Sequence, residues 1–322
     1  MILFEPKVEI IEQLPEFEGV AKMIEKVGRT CWASENLITD NSWEKFVKGI
    51  MERRHNSPLE HGTIYLKLDI TGPGGHNKND TLAWFAEWYQ NNPYSVVNWH
   101  TNDDGSISAL VTTNLRVLVE NKLLDQLDYL CMPTEYHEHR ITVHFTLQRA
   151  ISAEFNRHRV NSPMEQSSRY CNFSKDKFGN EIPIVPSQWV QEEWERILDV
   201  DPEAVPPYPT DLENSNRGLF TYCKYIANGE DNDFNKVDYW WFANLACEYS
   251  YMNILRLGGK PEEARDILPF DLKSELYHTA TVEQWKHFFE LRAYDTPGNV
   301  PHREAKRLAY PLYEEFKKRN LL

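Results

Sequence analysis

The sequence predicts an α+β fold, from three observations. Two separated segments, Ile64 to Ile70 and Ile141 to Gln148, alternate apolar and other side chains with the period of two that marks half-buried strands. Several longer segments instead repeat their apolar residues at spacings of three and four. Proline and glycine clusters separate the two kinds. The 322 residues are 41% hydrophobic, enough to fill a sizeable core, and show no internal repeat or low-complexity tract.

Taken in order, Pro15 suits the first turn of a helix reaching about Arg29. Trp43, Phe46, Val47, Ile50 and Met51 then recur at helical spacing after Asn41, with Glu44 three residues beyond that cap. Pro58 forces the chain out of this helix and the strand of Ile64 to Ile70 follows. The turn-rich TGPGGHNKND opens a mixed segment that reads as an insertion of about residues 72–140, with strand character near Ser106 to Thr112 and a helix around Asn114 to Leu130. After the strand of Ile141 to Gln148 a short helical pattern runs into RHRVNSPMEQSSRY, where Pro163 stops it. Further helices are predicted near Ser187 to Leu198, Asn214 to Ala227 and Phe234 to Leu257, the last closed by Gly258-Gly259. Pro261-Glu262-Glu263 opens another, Asp271 to Thr281 reads as a strand, and Val282 to Ala293 and His302 to Lys318 read as helices. The whole is read as one domain, 1–322.

Composition narrows function. A formal net charge of −14 disfavours a general nucleic-acid binder, whose affinity rests on clustered cations. No run of about 18 uninterrupted apolar residues would cross a membrane, and the start MILFEPKVEIIEQ lacks a signal-peptide pattern, so a cytoplasmic protein is expected. Five scattered cysteines without Cys-x-x-Cys spacing point to reduced thiols, with Cys171 a packed one. His137-Glu138-His139 has no partner at helical spacing, and no metal site is predicted. Gly72 to Gly75 lacks the strand-turn-helix context of a dinucleotide loop and reads as a turn.

Against this acidic background, residues 157–170 crowd three arginines, a histidine and three serines around one carboxylate. Forked guanidinium donors beside hydroxyls suit a phosphate dianion on a small molecule. Beyond Pro163 an extended chain would point Glu165, Ser167 and Arg169 one way and Gln166, Ser168 and Tyr170 the other. In VEQWKHFFELRAYD, Arg292 shares the apolar helix face with Trp285, Phe288 and Phe289; a buried ion pair, with Asp295 for instance, is the plain alternative to a role in polarising a substrate. Arg265 has its own plain reading, a surface pair with Glu262 on the same short helix.

Arg157-His158-Arg159, seven residues and then Ser167, with Glu165, Arg169 and Tyr170, resemble the signature of the flavin-dependent thymidylate synthases (ThyX). HNSPLEH, with His55, Ser57, Pro58, Glu60 and His61, is similar to that family's first flavin-contacting segment, and GRTCWAS around Arg29 to its N-terminal helix end. ARDILP with Arg265 and WKHFFELR with Arg292 stand at the family's mutual spacing, while TNLRVLVEN resembles its longer branch. The resemblance covers about residues 20–70, 141–183 and 258–315.

It implies the family's mixed or antiparallel sheet packed with helices, the insertion falling between the first strand and the motif-bearing one. It also implies a homotetramer with FAD in clefts between subunits, and reductive methylation of dUMP to dTMP. Methylenetetrahydrofolate would give the carbon and NADPH would reduce the flavin. Carried over residue by residue, Glu154, Arg157, Glu165, Gln166, Ser167, Ser168, Arg169, Arg265 and Arg292 would bind dUMP, with Arg292 catalytic by polarising the uracil. His55, Ser57, Arg157, His158, Arg159, Glu165, Thr281, Glu283 and His287 would bind FAD.

This chain departs from the pattern at Glu154, where many members have Gln, at Met164, and at Thr281, Glu283 and His287, which often are Asn, Arg and Asn. AYDTPGNVP stands where a His often follows the last arginine. Two rival readings stay open: a relative acting on another pyrimidine nucleotide or transferring another one-carbon group, and a nucleotide-binding protein without catalysis.

Overall fold

The structure, a computed structural model, describes residues 1–200 and 212–322. It opens with β1 (Ile2–Leu3), β2 (Lys7–Ile11), α1 (Glu16–Cys31) and α2 (Ser42–Glu52). Next come β3 (Thr63–Asp69), α3 (Asp80–Gln90), β4 (Val96–Thr101), β5 (Ile107–Asn114) and α4 (Leu115–Glu120). β6 (Arg140–Gln148), α5 (Arg149–Phe155), β7 (Ser162–Glu165) and β8 (Pro183–Ile184) follow. The chain continues through α6 (Gln188–Val200), α7 (Leu212–Asn228), α8 (Lys236–Arg256) and α9 (Pro261–Ala264), and ends with β9 (Lys273–Thr281), α10 (Val282–Arg292) and α11 (Arg303–Lys318).

The α+β class is as predicted, and the sheets are antiparallel apart from the two-residue parallel pair of β1 with β8. One sheet has four strands in the order β2-β6-β9-β7, the other three in the order β3-β5-β4. β3 pairs with β5 from Thr63↔Asn114 to Asp69↔Ser108, so the first strong strand of the sequence and the strands after it form a sheet of their own. In the four-stranded sheet β6 runs against β9 from Arg140↔Thr281 to Gln148↔Lys273, and β7 flanks β9 with Ser162 opposite Thr279. Pro163 can sit in β7 because an edge strand leaves one row of backbone groups outside the ladder.

Val143, Phe145, Leu147, Leu276 and Ala280 of this sheet pack with Trp285, Phe288 and Phe289 of α10 and Leu308, Leu312 and Phe316 of α11 into one apolar core. That burial fixes the helix carrying Arg292 against the strands that carry the arginine loop. A second core joins α1, α2 and α3 to the three-stranded sheet, and a third lies around α8, where Cys171 is fully buried and its thiol pushed up to about 11 by burial.

Several expectations need correction. The helix expected over Asn114 to Leu130 stops at Glu120; Lys122 takes a positive φ of 59° and a separate 3-10 turn covers Leu124–Tyr129. Asn41 precedes α2 but makes no side-chain cap; Ser42 instead accepts from the Thr39 N–H and donates to Glu25. The alternation expected through Tyr170 ends near Ser167, where a turn over 168–170 begins. Sequence reading also missed β1, β2, α3, β4, β7 and β8. In α3, Leu82, Phe85, Ala86 and Tyr89 form the inward stripe, but exposed Trp84 and the flanking Ala83 and Trp88 spread apolar residues around the helix and blur it in the sequence.

Candidate functional site

α5 ends at Phe155, and residues 156–161 form the tight connection to β7. This connection places Arg157 and Arg159 outward and His158 inward: the arginines are exposed, while His158 is 6% exposed. Arg157, His158, Arg159, His287 and Arg292 line one open cavity of about 510 Å³. The guanidiniums of Arg157 and Arg159 have no carboxylate or carbonyl partner among the described residues. In a chain with 49 acidic and 35 basic side chains, two adjacent unpaired arginines facing a hollow are an anion site in waiting.

Arg292 is held differently. Its Nη1 donates to Glu154 Oε2 at 2.7 Å, its Nη2 to the Glu154 carbonyl at 3.2 Å, and its Nε to His158 Nε2 at 3.3 Å. The alternative of an ion pair is thus realised with Glu154 and not with Asp295, which meets Lys306 at 2.9 Å. Three of the five guanidinium N–H groups are committed, leaving two for another molecule. His158 Nε2 must be a lone-pair acceptor here. Burial first, then the neighbouring Arg292, His287 and Arg157, lower the His158 pKa to about 4, so the ring is neutral at pH 7.

Behind the loop lies a buried polar chain that sequence reading missed. Asn161 donates to His278 Nδ1 at 3.3 Å, and His278 Nε2 donates to Asn156 Oδ1 at 3.4 Å, tying both ends of the connection to β9. His61 Nδ1 meets Thr279 Oγ1 at 2.8 Å, which in turn meets Thr142 Oγ1 at 2.8 Å. Burial holds both His61 and His278 neutral, with pKa values of about 3. Arg140 donates only to neutral oxygens, those of Glu60 (backbone), Thr63 and Ser162, and burial lowers its pKa to about 10. A histidine inside an alternating strand carries no sequence mark separating it from a packed apolar residue.

The other expected site residues fall into three groups. Glu165 is consumed internally: Oε1 accepts from Arg149 at 3.0 Å, Ser152 at 2.5 Å and Ser274 at 2.7 Å, and Oε2 from Asn156 at 3.1 Å. Gln166 and Ser167 anchor the segment through backbone N–H bonds to Glu275 and Cys31, and Ser168 begins the turn. Thr281 caps α10 by accepting from Gln284 N–H, Glu283 is exposed beside Lys286, and His287 stays on the cavity wall.

Arg169 and Arg265 are not walls of this cavity. Arg169 lies 3.9 Å from Glu262, which also lies 3.9 Å from Lys260, so the alternative surface pair of Glu262 with Arg265 does not form; Arg265 lies 4.0 Å from Asp266. His55 is exposed after α2, and Ser57 opens the 3-10 turn Ser57–His61. His137 is buried, its Nδ1 accepting from Thr134 N–H.

An α+β scaffold presents two unpaired arginines beside a clamped third one, an arrangement suited to a small anion. The profile of the family described as thymidylate synthase complementing protein matches residues 121–320, and the chain belongs to that family, the flavin-dependent thymidylate synthases. The match leaves residues 1–120, including HNSPLEH, outside it. No curated protein matches the sequence. Among solved structures, the UMP/dUMP methylase PolB from Streptomyces cacaoi bound with 5-Br dUMP is 14% identical, with 99% of this chain and 93% of that chain covered and a TM-score of 0.39. The same enzyme bound with 5-Br UMP gives 15%, 99%, 92% and 0.38, in both cases a distant likeness. Among the described residues no helix is long and apolar enough to cross a membrane.

Proposed function

We propose that this chain catalyses the reductive methylation of dUMP to dTMP, with methylenetetrahydrofolate as carbon donor, NADPH as reductant and FAD as cofactor. The observation that carries this reading is the pair of unpaired guanidiniums, Arg157 and Arg159, sharing a cavity with the clamped Arg292. The residues fit a flavin nucleotide and a nucleoside monophosphate: exposed forked donors suit phosphate oxygens, and His158 is neutral, so it adds no fourth cation beside Arg157, Arg159 and Arg292. FAD, when bound, supplies the hydride.

The chain's own residues then bind, orient and polarise. Arg157 and Arg159 hold phosphate. Arg292, fixed by Glu154 and His158, directs its two remaining N–H groups toward the pyrimidine, where they stabilise negative charge as the ring is activated. Glu165 positions the loop by joining α5, β7 and β9. Arg169 and Arg265 would complete the site from a neighbouring copy in a homotetramer, and residues 1–322 form one cytoplasmic catalytic unit with about 72–140 inserted.

Purified protein should carry flavin absorbance or acquire it on adding FAD, and should convert dUMP to dTMP only when folate and NADPH are both present. A colourless protein unable to take up FAD overturns this reading in favour of a non-catalytic binder. One observation favours a second enzyme reading. Glu154, paired with Arg292 at 2.7 Å, offers a carboxylate acceptor beside the polarising group, which suits a different exocyclic group on the base. Turnover of another pyrimidine nucleotide with none of dUMP would select that reading.

A further inference from the structure

Residues 276, 278 and 280 of β9 point to one face of the sheet, and two of them, Leu276 and Ala280, join the apolar core beside Trp285 and Phe288 of α10. His278 stands between them, fully buried, with the rings of Phe145 and Trp285 at 6.2 and 6.4 Å. Packing alone does not call for an imidazole there, because burying a polar ring costs desolvation that an aliphatic side chain avoids. Its two hydrogen bonds among the described residues both go to the connection of residues 156–161, one to Asn156 at its start and one to Asn161 at its end. The backbone gives that connection little other anchorage. Asn156, Arg157, His158 and Asn161 direct their N–H groups to the carbonyls of Ser152, Glu154, Phe155 and His158, all within α5 or the connection itself.

We propose that His278 is a positioning residue: its ring latches both ends of the connection at a fixed span and thereby sets how tightly Arg157 and Arg159 hold an anion. The two ring nitrogens play opposite parts. Nδ1 accepts from the Asn161 amide and Nε2 donates to the Asn156 carbonyl, so one rigid plane satisfies a donor and an acceptor at once. Burial keeps the ring neutral, and these roles therefore persist at pH 7. Asn156 carries the latch onward, donating from Nδ2 to Glu165 Oε2 at 3.1 Å. Because Arg157 and Arg159 have no carboxylate or carbonyl partner of their own among the described residues, the backbone beneath them limits where they can reach. A connection fixed at both ends has less freedom to lose when an anion binds. Arg292 depends on the latch less: Glu154 of α5 takes two bonds from its fork, and only Nε reaches His158 in the connection. The latch thus governs affinity while Glu154 governs the polarising group. That division of labour rests on the proposed reaction; the effect of the latch on anion affinity does not.

The test measures calorimetric binding of inorganic pyrophosphate and of dUMP, with KM and kcat for dUMP, in the parent protein, His278→Phe, His278→Gln, Asn161→Ala and the double variant His278→Phe with Asn161→Ala. His278→Phe keeps a ring beside Phe145 and Trp285 and removes both bonds. It should weaken both anions by about tenfold and raise KM in step, while kcat changes by less than about twofold. His278→Gln, whose amide offers a donor and an acceptor, should recover most of the affinity. Asn161→Ala should weaken the anions too, and the double variant no further than His278→Phe alone, because both changes open one latch. Unchanged anion affinities in His278→Phe, losses that simply add in the double variant, or a fall in kcat at constant KM overturn the proposal. If His278→Phe does not fold, parent-like affinity in Asn161→Ala overturns it and weakened affinity supports it. A parent that binds pyrophosphate in a His278-dependent way yet turns over no dUMP keeps the latch and removes the proposed reaction.

Discussion

The three-stranded and four-stranded sheets are built from strands of similar length, yet they bury different chemistry. The first packs Ile64, Leu66, Leu68, Ala109 and Val111 against Leu82, Ala86 and Tyr89 of α3. The second has an equally apolar face toward α10 and α11, but at its β7 side it encloses Thr142, His278 and Thr279 with His61 pressed against them. Buried polar groups cost desolvation that aliphatic packing does not, and here they stand directly behind the loop bearing Arg157 and Arg159. The difference teaches that one sheet supplies cohesion while the other trades some of it for position.

The sharpest way to break this comparison is to strip the anion site. Arg157→Ala with Arg159→Ala should lower affinity for dUMP and FAD by about a thousandfold, since each removes charge-assisted hydrogen bonds worth roughly 1.5–3 kcal/mol. Both side chains are exposed and unpaired, so the thermal midpoint should stay put; a collapse of stability would show that they hold the fold. Leu66→Ala is the converse, costing about 3 kcal/mol in denaturant unfolding while leaving ligand affinities intact at subsaturating denaturant. Arg292→Lys should cut turnover by about a hundredfold, through loss of the fork that reaches Glu154 and the substrate together, with little change in dUMP affinity.

The most gradual effect is acid sensitivity. His61, His278 and His158 have native pKa values of about 3, 3 and 4, below the ordinary 6.5, so the unfolded chain takes up protons that the folded one refuses. Their contribution is complete above pH 6.5 and is lost as pH falls toward 4 and then 3, by up to about 1.4 kcal/mol per pH unit for each histidine. Unfolding free energies measured across that window should decline, and His278→Asn should flatten the decline.

How far this could be read beforehand depended on whether a feature was local. The helix with Trp285, Phe288, Phe289 and Arg292 on one face and the strand from Ile141 declared themselves through periodicity, and the arginine cluster stood out against an acidic chain. α3 escaped because exposed Trp84 and its neighbours blur the stripe of Leu82, Phe85, Ala86 and Tyr89, and β7 because its proline reads as a break unless the strand is known to lie at an edge. The partner of Arg292 is Glu154, not the Asp295 offered as an example, for a simple reason: sequence offers near neighbours, whereas the contact spans 138 positions. The contact of His61 with Thr279, across 218 positions, is likewise set only by folding.

Pro163 carries a further consequence. The segment bearing the site forms the outermost strand of its sheet, a margin where another polypeptide could zip on and smother the arginines. A ring that offers no amide hydrogen makes that margin a poor template, so the same residue that shapes the binding segment also guards it against fibrillar self-association.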